Sequence, residues 1–193
     1  MSAAKMHCNA RWVISADIAE FSPSVKADRV SLALQKLGYG DDSSLNMLVN
    51  LVCLDGALTQ GTPTSPILSN IVLSDLDSVL TELATEFDAV YTRSAHDIVF
   101  SGKNDLPDGL VDQIKEAIIK DGWKLPDRKF NVSQAPRRLK VHGLLVHREE
   151  VCLTKGYRNK LRAFRHLMTS GKVLEADVAK LSGHVVHSDF IEK

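Results

Sequence analysis

The stretch ALTQGTPTSPILSNIVLSDLD, Ala57–Asp77, decides the fold of this chain. Its Gln-Gly pair at 60–61 predicts a turn, and the proline-containing run that follows predicts a helix start with Ser65 as the cap. Apolar residues then recur at helical spacing as far as about Phe87. Packing alone does not require a tight turn, a helix start and a long apolar helix in this order, so the stretch indicates a function.

Strands and helices follow one another in blocks on both sides of this stretch. Upstream, RWVISADI (Arg11–Ile18) is mostly apolar and rich in β-formers, which predicts a strand that ends at an acid. Hairpins mixed with blocks of helices favour an α+β fold, an antiparallel sheet covered by helices on one face. The other predicted elements are strands at 89–93 and 98–101, helices at 27–37, 43–54, 110–120, 157–170 and 174–181, and a hairpin whose strands 139–146 and 151–153 turn at Glu149–Glu150.

Length and composition narrow the class of protein. The 193 residues suffice for one well-buried domain and a small appendage. The 24 basic and 24 acidic residues cancel, which argues against binding of nucleic acid over the whole surface. Three widely spaced cysteines predict neither a metal site nor a disulfide framework and fit a reducing cytoplasm. No segment approaches the roughly 18 uninterrupted apolar residues of a membrane span, and no leader peptide is predicted.

Two aspartates occupy positions that suit nucleotidyl transfer. Asp17 lies at the end of the first predicted strand, and Asp97 lies at the corner between two short strands. Transfer of a nucleotide uses two divalent cations about 3.5–4 Å apart, and such hard cations prefer carboxylate oxygens. Each aspartate alone is weak evidence, because an Asp at a strand end is usually a turn or cap residue.

Six short motifs follow one another along the chain. DIAEFSPSV begins at Asp17, QGTPTSP at Gln60 and YTRSAHDIVFSG at Tyr91. In this order they resemble the reverse-transcriptase motifs DIxxFFxxI, QGxPxSP and YxRYADDxxxSG, in particular those of retron and group II intron enzymes. The three remaining segments resemble the end of the palm and the start of the thumb in that family: Leu139–Leu144, Tyr157–Arg162 and Leu181–His184.

The resemblance implies a role for each matched residue. It implies a polymerase palm in residues 1–153 and a partial, helical thumb in residues 154–193. Asp17 and Asp97 would bind the divalent metal, Mg²⁺ or Mn²⁺, with His96 beside them in the catalytic site. The residues implied to contact the template and the incoming deoxynucleoside triphosphate are Ser22, Gln60, Gly61, Pro63 and Ser65.

His96 departs from the family at a position that matters for catalysis, because the family has the first aspartate of its pair there. Imidazole is a poor ligand for Mg²⁺ but an acceptable one for Mn²⁺ or Zn²⁺. Three explanations stay open: a decayed site that tolerates His96, a site adapted to Mn²⁺, or another adaptation. All three predict weaker binding of Mg²⁺.

Other departures concern the nucleotide and the missing fingers. Ser22 replaces the aromatic residue that excludes a ribose 2′-hydroxyl, which predicts poor sugar discrimination, or drift in an unused site. Ser94 and Thr59 are milder changes, consistent with neutral packing variation. Only ten residues precede Arg11, where the family has its fingers. We therefore expect either that a fingers-bearing partner or a homo-oligomer supplies this part, or that the chain is a remnant or a split piece. We also expect an exposed apolar patch suited to association.

Basic residues concentrate in the last third of the chain, as expected when one face meets phosphates. Arg158, Arg162 and Arg165 are spaced to share a helix face. The resemblance implies that this helix and the preceding hairpin contact the backbone of an RNA/DNA duplex, in a salt-dependent and sequence-tolerant way. The residues predicted to do so are Arg137, Arg138, Lys140, Arg158, Lys160, Arg162 and Arg165.

Three functions remain open from the sequence. The first is an RNA-directed DNA polymerase that copies an RNA template but is impaired or depends on a partner. The second is a catalytically inactive palm and thumb that binds nucleic acid or completes a larger complex. The third is a structural interaction protein. Antiviral defence of the retron kind, intron mobility and a domesticated remnant would all fit the same motifs.

Overall fold

A computed structural model of the protein describes residues 3–40, 43–170, 173 and 175–191. Short 3₁₀ helices lie at Ala3–His7 and Asp127–Lys129. The strands in the described part are β1 Trp12–Asp17, β2 Cys53–Leu54, β3 Ala57–Leu58, β4 Val90–Ser94, β5 Asp97–Gly102, β6 Phe130–Gln134, β7 Lys140–Val141, β8 Leu144–Leu145 and β9 Cys152–Leu153. The helices there are α1 Phe21–Ser24, α2 Ala27–Lys36, α3 Ser43–Val52, α4 Ser65–Val72, α5 Ser74–Glu86, α6 Leu110–Lys120, α7 Lys155–Thr169 and α8 Glu175–Ile191.

The described residues form two compact units. One unit contains the residues up to Val13, Ser101–Asp105 and the residues from Ser133 onward; the other contains Ile14–Phe100 and Leu106–Val132. A four-stranded sheet with the order β4-β5-β1-β6 belongs mostly to the second unit, which also holds the small β2-β3 hairpin. The first unit has an antiparallel β7-β8-β9 sheet. Helices mixed with antiparallel sheets confirm the predicted α+β class.

Two helices of the second unit bury apolar residues at every fourth position. Leu76 and Leu80 of α5 and Leu110, Ile114 and Ile118 of α6 are each at most 2% exposed. α5 packs against both α6 and β4, so this stripe forms the core beside the sheet. Each fully buried Leu or Ile contributes about 1.5–3 kcal/mol. The periodicity that predicted these helices is therefore the cause of their packing.

The long helix predicted from Ser65 to about Phe87 is two helices, α4 and α5, joined at Leu73. Leu73 is fully buried, with φ −86° and ψ −1°. The Ser74 hydroxyl donates to the Ile71 carbonyl at 2.8 Å, a local bond that competes with the helical ladder. The prediction of one continuous helix is wrong, because the backbone at Leu73 departs from the helical ψ of about −42°.

The predicted strand 139–146 is also wrong, because it contains a turn of its own. His142 and Gly143 have φ of 48° and 81°. Two consecutive positive φ values match the two-residue hairpin loops that fit the twist of antiparallel strands. β7 and β8 pair across this turn, and β8 then pairs with β9 around the predicted Glu149–Glu150 turn.

Several elements lacked a clear sequence signal. β6 (FNVSQ) is largely polar, and α1 is a helix of only four residues that contains Pro23. α8 continues ten residues beyond the predicted end at Leu181. None of the helices in the described ranges combines the length and apolar character needed to cross a bilayer.

Gly102 allows the indole of Trp12 to pack directly against the backbone of β5. A Cβ atom at Gly102 would lie 2.5 Å from Cζ2 of Trp12, far inside contact distance. Trp12 is 2% exposed, and its Nε1 is buried without a hydrogen-bond partner among the described residues. Only glycine fits beside the ring in this arrangement.

Candidate active site

Asp17 is the last residue of β1, at the point where that buried strand leaves the sheet. The strand residues Trp12, Val13, Ile14 and Ala16 are buried, whereas the Asp17 side chain is 36% exposed. A strand covered by the core on most of its length therefore presents one carboxylate at its accessible end.

His96 and Asp97 lie at the corner between β4 and β5. The loop of this hairpin is Ala95–His96, and Ala95 has a φ of 52°. A left-handed conformation is uncommon for a residue with a side chain and is often found at functional sites. The backbone N–H of Ile18 donates to the His96 carbonyl at 3.2 Å, which ties the corner to the end of β1.

The structure brings Asp17, His96 and Asp97 together; we name these three residues the acidic corner. Each offers a ligand atom, and the three atoms lie within 4.8 Å of one another. All three side chains are half-buried. Two carboxylates and an imidazole at this spacing fit a divalent cation, and the imidazole makes Mn²⁺ or Zn²⁺ a better match than Mg²⁺.

Lys129 is a residue of this site that the sequence analysis missed. Its ammonium group donates to Oδ1 of Asp17 at 2.5 Å, and its side chain is 31% exposed. Lys129 immediately precedes β6, the neighbour of β1 in the sheet. β6 was not predicted because its sequence is largely polar, so nothing indicated that Lys129 lies next to Asp17. A positive charge therefore already partners the Asp17 carboxylate.

Arg93 holds the hairpin corner from inside. Its side chain is 9% exposed, and its Nε and Nη2 donate to the Asp77 carboxylate at 2.7 and 2.5 Å. Its Nη1 donates to the carbonyl of Ala95 at 2.8 Å and to Asn70 at 2.9 Å. The hydrogen bond to Asp77 raises the pKa of Arg93 although burial opposes it. Arg93 thereby fixes the residue directly before His96.

Tyr91 completes the same network. Its hydroxyl donates to Asp77 at 2.6 Å, and its ring packs against Phe100 at 5.0 Å between centroids. Burial, followed by the bond to Asp77, raises the pKa of Tyr91, so the phenol stays protonated. Asp77 therefore accepts from both Tyr91 and Arg93, two residues of the β4 strand that leads into the corner.

Phe21 lies next to His96, with 5.8 Å between the two ring centroids. Phe21 is buried, and it also contacts Trp123 at 5.5 Å. Ser22, the next residue of α1, is half-buried. The helix that begins directly after β1 thus packs an aromatic ring against the imidazole and carries the predicted nucleotide residue.

The Gln60–Gly61 turn is held by hydroxyl groups. Gly61 has a φ of 84°, a conformation that glycine adopts without strain. The Ser65 hydroxyl donates to the Thr59 carbonyl and contacts the Thr62 hydroxyl at 2.5 Å. Thr64, not Ser65 as predicted, occupies the cap position, because α4 begins at Ser65.

Gln60, Gly61 and Pro63 are exposed. Within the described ranges, no hydrogen bond or ion pair joins this turn to the acidic corner. The turn is therefore a separately braced structure, and its predicted contact with template and nucleotide stays a prediction.

The predicted backbone-binding residues are all exposed, but their surroundings differ. Arg165 donates to Asp189 at 2.6 Å, Arg162 donates to Asn159 at 3.3 Å, and Lys160 lies over the Phe164 ring at 5.4 Å. Arg137 and Lys140 flank the start of the β7-β8-β9 sheet. Arg138 and Arg158 line a common cavity.

No protein-family model matches the chain. The chain is nevertheless similar to retron reverse transcriptases. It is 28% identical to the Retron Ec86 reverse transcriptase of Escherichia coli over 89% of its own length. It is 29% identical to the Retron Ec73 reverse transcriptase of Escherichia coli over 94% of its length. It is 31% identical to the Retron Mx65 reverse transcriptase of Myxococcus xanthus over 92% of its length. It covers 53%, 63% and 45% of these proteins, so it spans about half the length of these curated relatives.

A solved structure is similar to this fold. The apo telomerase from Candida tropicalis, truncated from the C-terminal domain, matches with a TM-score of 0.53 over 74% of this chain and 35% of the telomerase chain. The sequence identity is 16%, so this likeness concerns the fold alone. It supports the predicted palm fold of the reverse-transcriptase type.

Proposed function

Because the chain belongs to the reverse-transcriptase family, we propose that it is the palm and first part of the thumb of an RNA-directed DNA polymerase. In this proposal the palm is residues 1–153 and the partial thumb is residues 154–193. Its partners are an RNA template, the RNA/DNA duplex and a deoxynucleoside triphosphate. The observation that carries the proposal is the convergence of Asp17, His96 and Asp97 at the end of β1.

The acidic corner would hold the divalent metal through Asp17 and Asp97. Bound there, Mg²⁺ or Mn²⁺ would activate the attacking 3′-hydroxyl and neutralise the triphosphate. Arg93 and Asp77 keep the hairpin carbonyl of Ala95 in place, which supports the backbone of the corner that carries His96 and Asp97. Such rigid support of the groups that touch metal and substrate is what catalysis requires.

The braced turn would position template and nucleotide. Its exposed backbone at Gln60 and Gly61 is free to approach a base pair, and the Ser65 hydroxyl prevents the turn from opening. Ser22 would face the sugar, where a small side chain leaves room for a 2′-hydroxyl. Poor discrimination between deoxy- and ribonucleotides follows from this assignment.

Two observations support weak activity with Mg²⁺. His96 contributes a neutral or cationic ring where a carboxylate would attract the metal, and Lys129 already neutralises Asp17. The metal must therefore compete with an ammonium group for one of two carboxylates. We propose that synthesis by this chain is impaired, or depends on a fingers-bearing partner or a second copy.

The same two observations favour a second candidate function, a catalytically inactive subunit that binds nucleic acid. In that case His96 and Lys129 would replace the metal altogether, and the exposed basic residues would remain in use. The two functions differ in whether an aspartate at position 96 restores synthesis.

Primer extension on poly(rA)/oligo(dT) separates these functions. We expect little extension by the unmodified chain in Mg²⁺, and on the order of tenfold or more extension by His96→Asp when a fingers-bearing chain is supplied. The matched control is Asp17→Asn in the His96→Asp background, which should remove the gain. Robust extension by the unmodified chain in Mg²⁺ would refute impairment.

A binding assay gives the complementary result. If His96→Asp restores no synthesis but the unmodified chain retards an RNA–DNA hybrid at low salt, the inactive binding subunit is the better description. If neither synthesis nor retardation occurs, both proposed functions are wrong.

A further inference from the structure

A cavity of about 160 Å³ lies beside the start of α7. Its floor includes the apolar side chain of Leu145. The remaining lining residues define what we name the basic cavity: Arg138, His147, Arg148, Cys152, Lys155 and Arg158. Only two of them, Arg138 and Arg158, belong to the set predicted from the sequence.

The lining of the basic cavity contains four cationic side chains and no carboxylate. Arg138, Arg148, Lys155 and Arg158 are exposed, and in the described part of the chain none of them forms an ion pair with a carboxylate. Four like charges around one small space repel one another, so the arrangement costs free energy until an anion enters it.

The other basic residues on α7 already have intramolecular partners. Arg165 is paired with Asp189, Arg162 with the Asn159 amide, and Lys160 with the Phe164 ring. Of the seven predicted basic residues, three on α7 thus have intramolecular partners, and two, Arg138 and Arg158, line the cavity.

The size and the chemistry of the cavity suit one phosphate group. Its volume of about 160 Å³ leaves room for a small anion. Arginine side chains bind phosphate oxygens through paired hydrogen bonds. The N-terminus of α7, where Thr154 caps Tyr157 N–H at 3.3 Å, adds the partial positive charge of the helix.

We infer that the basic cavity binds one backbone phosphate of the RNA/DNA duplex and so fixes the strand at the start of α7. This inference rests on the proposed function, to which it adds a discrete site and three residues, His147, Arg148 and Lys155. A backbone phosphate carries no sequence information, so the site positions the duplex and does not select among sequences.

Cys152 provides a reporter for the cavity, because it is half-buried in the lining. In a Cys8→Ser/Cys53→Ser background, we expect inorganic phosphate to slow alkylation of Cys152 more than chloride does at equal ionic strength. Arg158→Ala should abolish this protection. Lys180→Ala, at an exposed residue of α8 outside the cavity lining, should leave it unchanged. Equal effects of phosphate and chloride would overturn the inference.

Duplex binding tests the same cavity independently. Arg138→Ala and Arg158→Ala should each reduce the slope of log K against log salt by about 1, whereas the control Lys180→Ala should change it much less. Circular dichroism and urea unfolding check that each variant is folded. Equal losses for all three variants would overturn the cavity but leave the proposed function standing.

A third outcome would overturn both proposals. If phosphate protects Cys152 but the unmodified chain binds no duplex at low salt, the cavity binds small anions, and both the inferred duplex contact and the proposed function are wrong.

Discussion

The acidic corner and the basic cavity differ in whether their charged side chains are paired with opposite charges. At the acidic corner, Asp17 is paired with Lys129, and the adjacent hairpin is fixed by the Arg93–Asp77 pair. Around the basic cavity, the cationic side chains are exposed and none is paired with a carboxylate among the described residues.

The difference teaches where single substitutions should matter. Removing one partner of a buried pair leaves the other charge uncompensated, which costs several kcal/mol. Removing one exposed charge costs little stability and changes mainly salt-dependent binding. We therefore expect single substitutions near the corner to cause large losses of stability, and single substitutions near the cavity to cause graded changes in salt-dependent binding.

The largest effect should come from Arg93→Ala. Its guanidinium is 9% exposed and holds Asp77, so we expect a loss of about 3–5 kcal/mol in the free energy of unfolding, toward the lower end because Asp77 is 31% exposed. Urea unfolding measures the loss. Arg93→Lys keeps the charge but not the fork and should fall between, while the exposed Arg162→Ala serves as control. A loss below about 1 kcal/mol for Arg93→Ala would remove the contrast between the two regions.

His7 lies in the same compact unit as the basic cavity, but it is buried. It therefore tests whether burial, and not the unit in which a residue lies, decides how strongly its charge affects stability. It is 1% exposed, and its Nδ1 lies 2.7 Å from the Ser101 hydroxyl. Burial, and secondarily His142, lowers the pKa of His7 from 6.5 to about 4. Between pH 6.5 and 4 the unfolded chain therefore binds a proton that the native protein does not. As the pH is lowered through this range, the free energy of unfolding decreases by up to about 3 kcal/mol.

Urea unfolding at pH 7, 5.5 and 4.5, compared with His7→Asn, isolates this contribution. The variant should lose stability at pH 7 but show a shallower decline toward pH 4.5. Identical pH dependence in both proteins would show that His7 is not the responsible group.

A smaller effect of opposite sign is expected from Ala95→Gly. The left-handed backbone of Ala95 costs about 1–3 kcal/mol, which glycine relieves at an entropic cost of about 0.5–1 kcal/mol. We expect a net stabilisation of about 1 kcal/mol by urea unfolding. Ala163→Gly, on the exposed face of α7, is the matched control and should destabilise by a similar amount. Destabilisation by both changes would mean that the hairpin corner is unstrained.

The smallest effect should come from Arg165→Ala. Arg165 and Asp189 form a pair whose side chains are 47% and 54% exposed, so its loss should cost less than about 1 kcal/mol. Added salt should reduce the difference further. A cost of 2 kcal/mol or more in thermal or urea unfolding would show that exposed pairs in this chain behave like buried ones.

Elements whose signal lies in their own residues were predictable. α6 has the predicted bounds 110–120, and β1, β4 and β5 lie within about one residue of prediction, because their apolar periodicity is local. The joint at Leu73 and the strand β6 were not predictable, since the backbone conformation of one buried residue and the pairing with a neighbouring strand decide them.

The candidate site divides in the same way. Asp17, His96 and Asp97 were identified through motif order, and the structure places their ligand atoms within 4.8 Å of one another; their catalytic roles stay predictions. Lys129 could not be found, because its ion pair joins positions 112 residues apart. The basic cavity likewise depends on which arginines retain intramolecular partners, and charge counting along the sequence does not reveal that.

The close packing of Gly102 against Trp12 restricts how this chain can evolve. Any other residue at position 102 would place its Cβ atom 2.5 Å from Cζ2 of Trp12, so a saturation library at this position should return glycine alone. A replacement of Gly102 is tolerated only after a smaller residue has replaced Trp12. The order of the two mutations, and not only their identity, therefore determines whether the protein still folds.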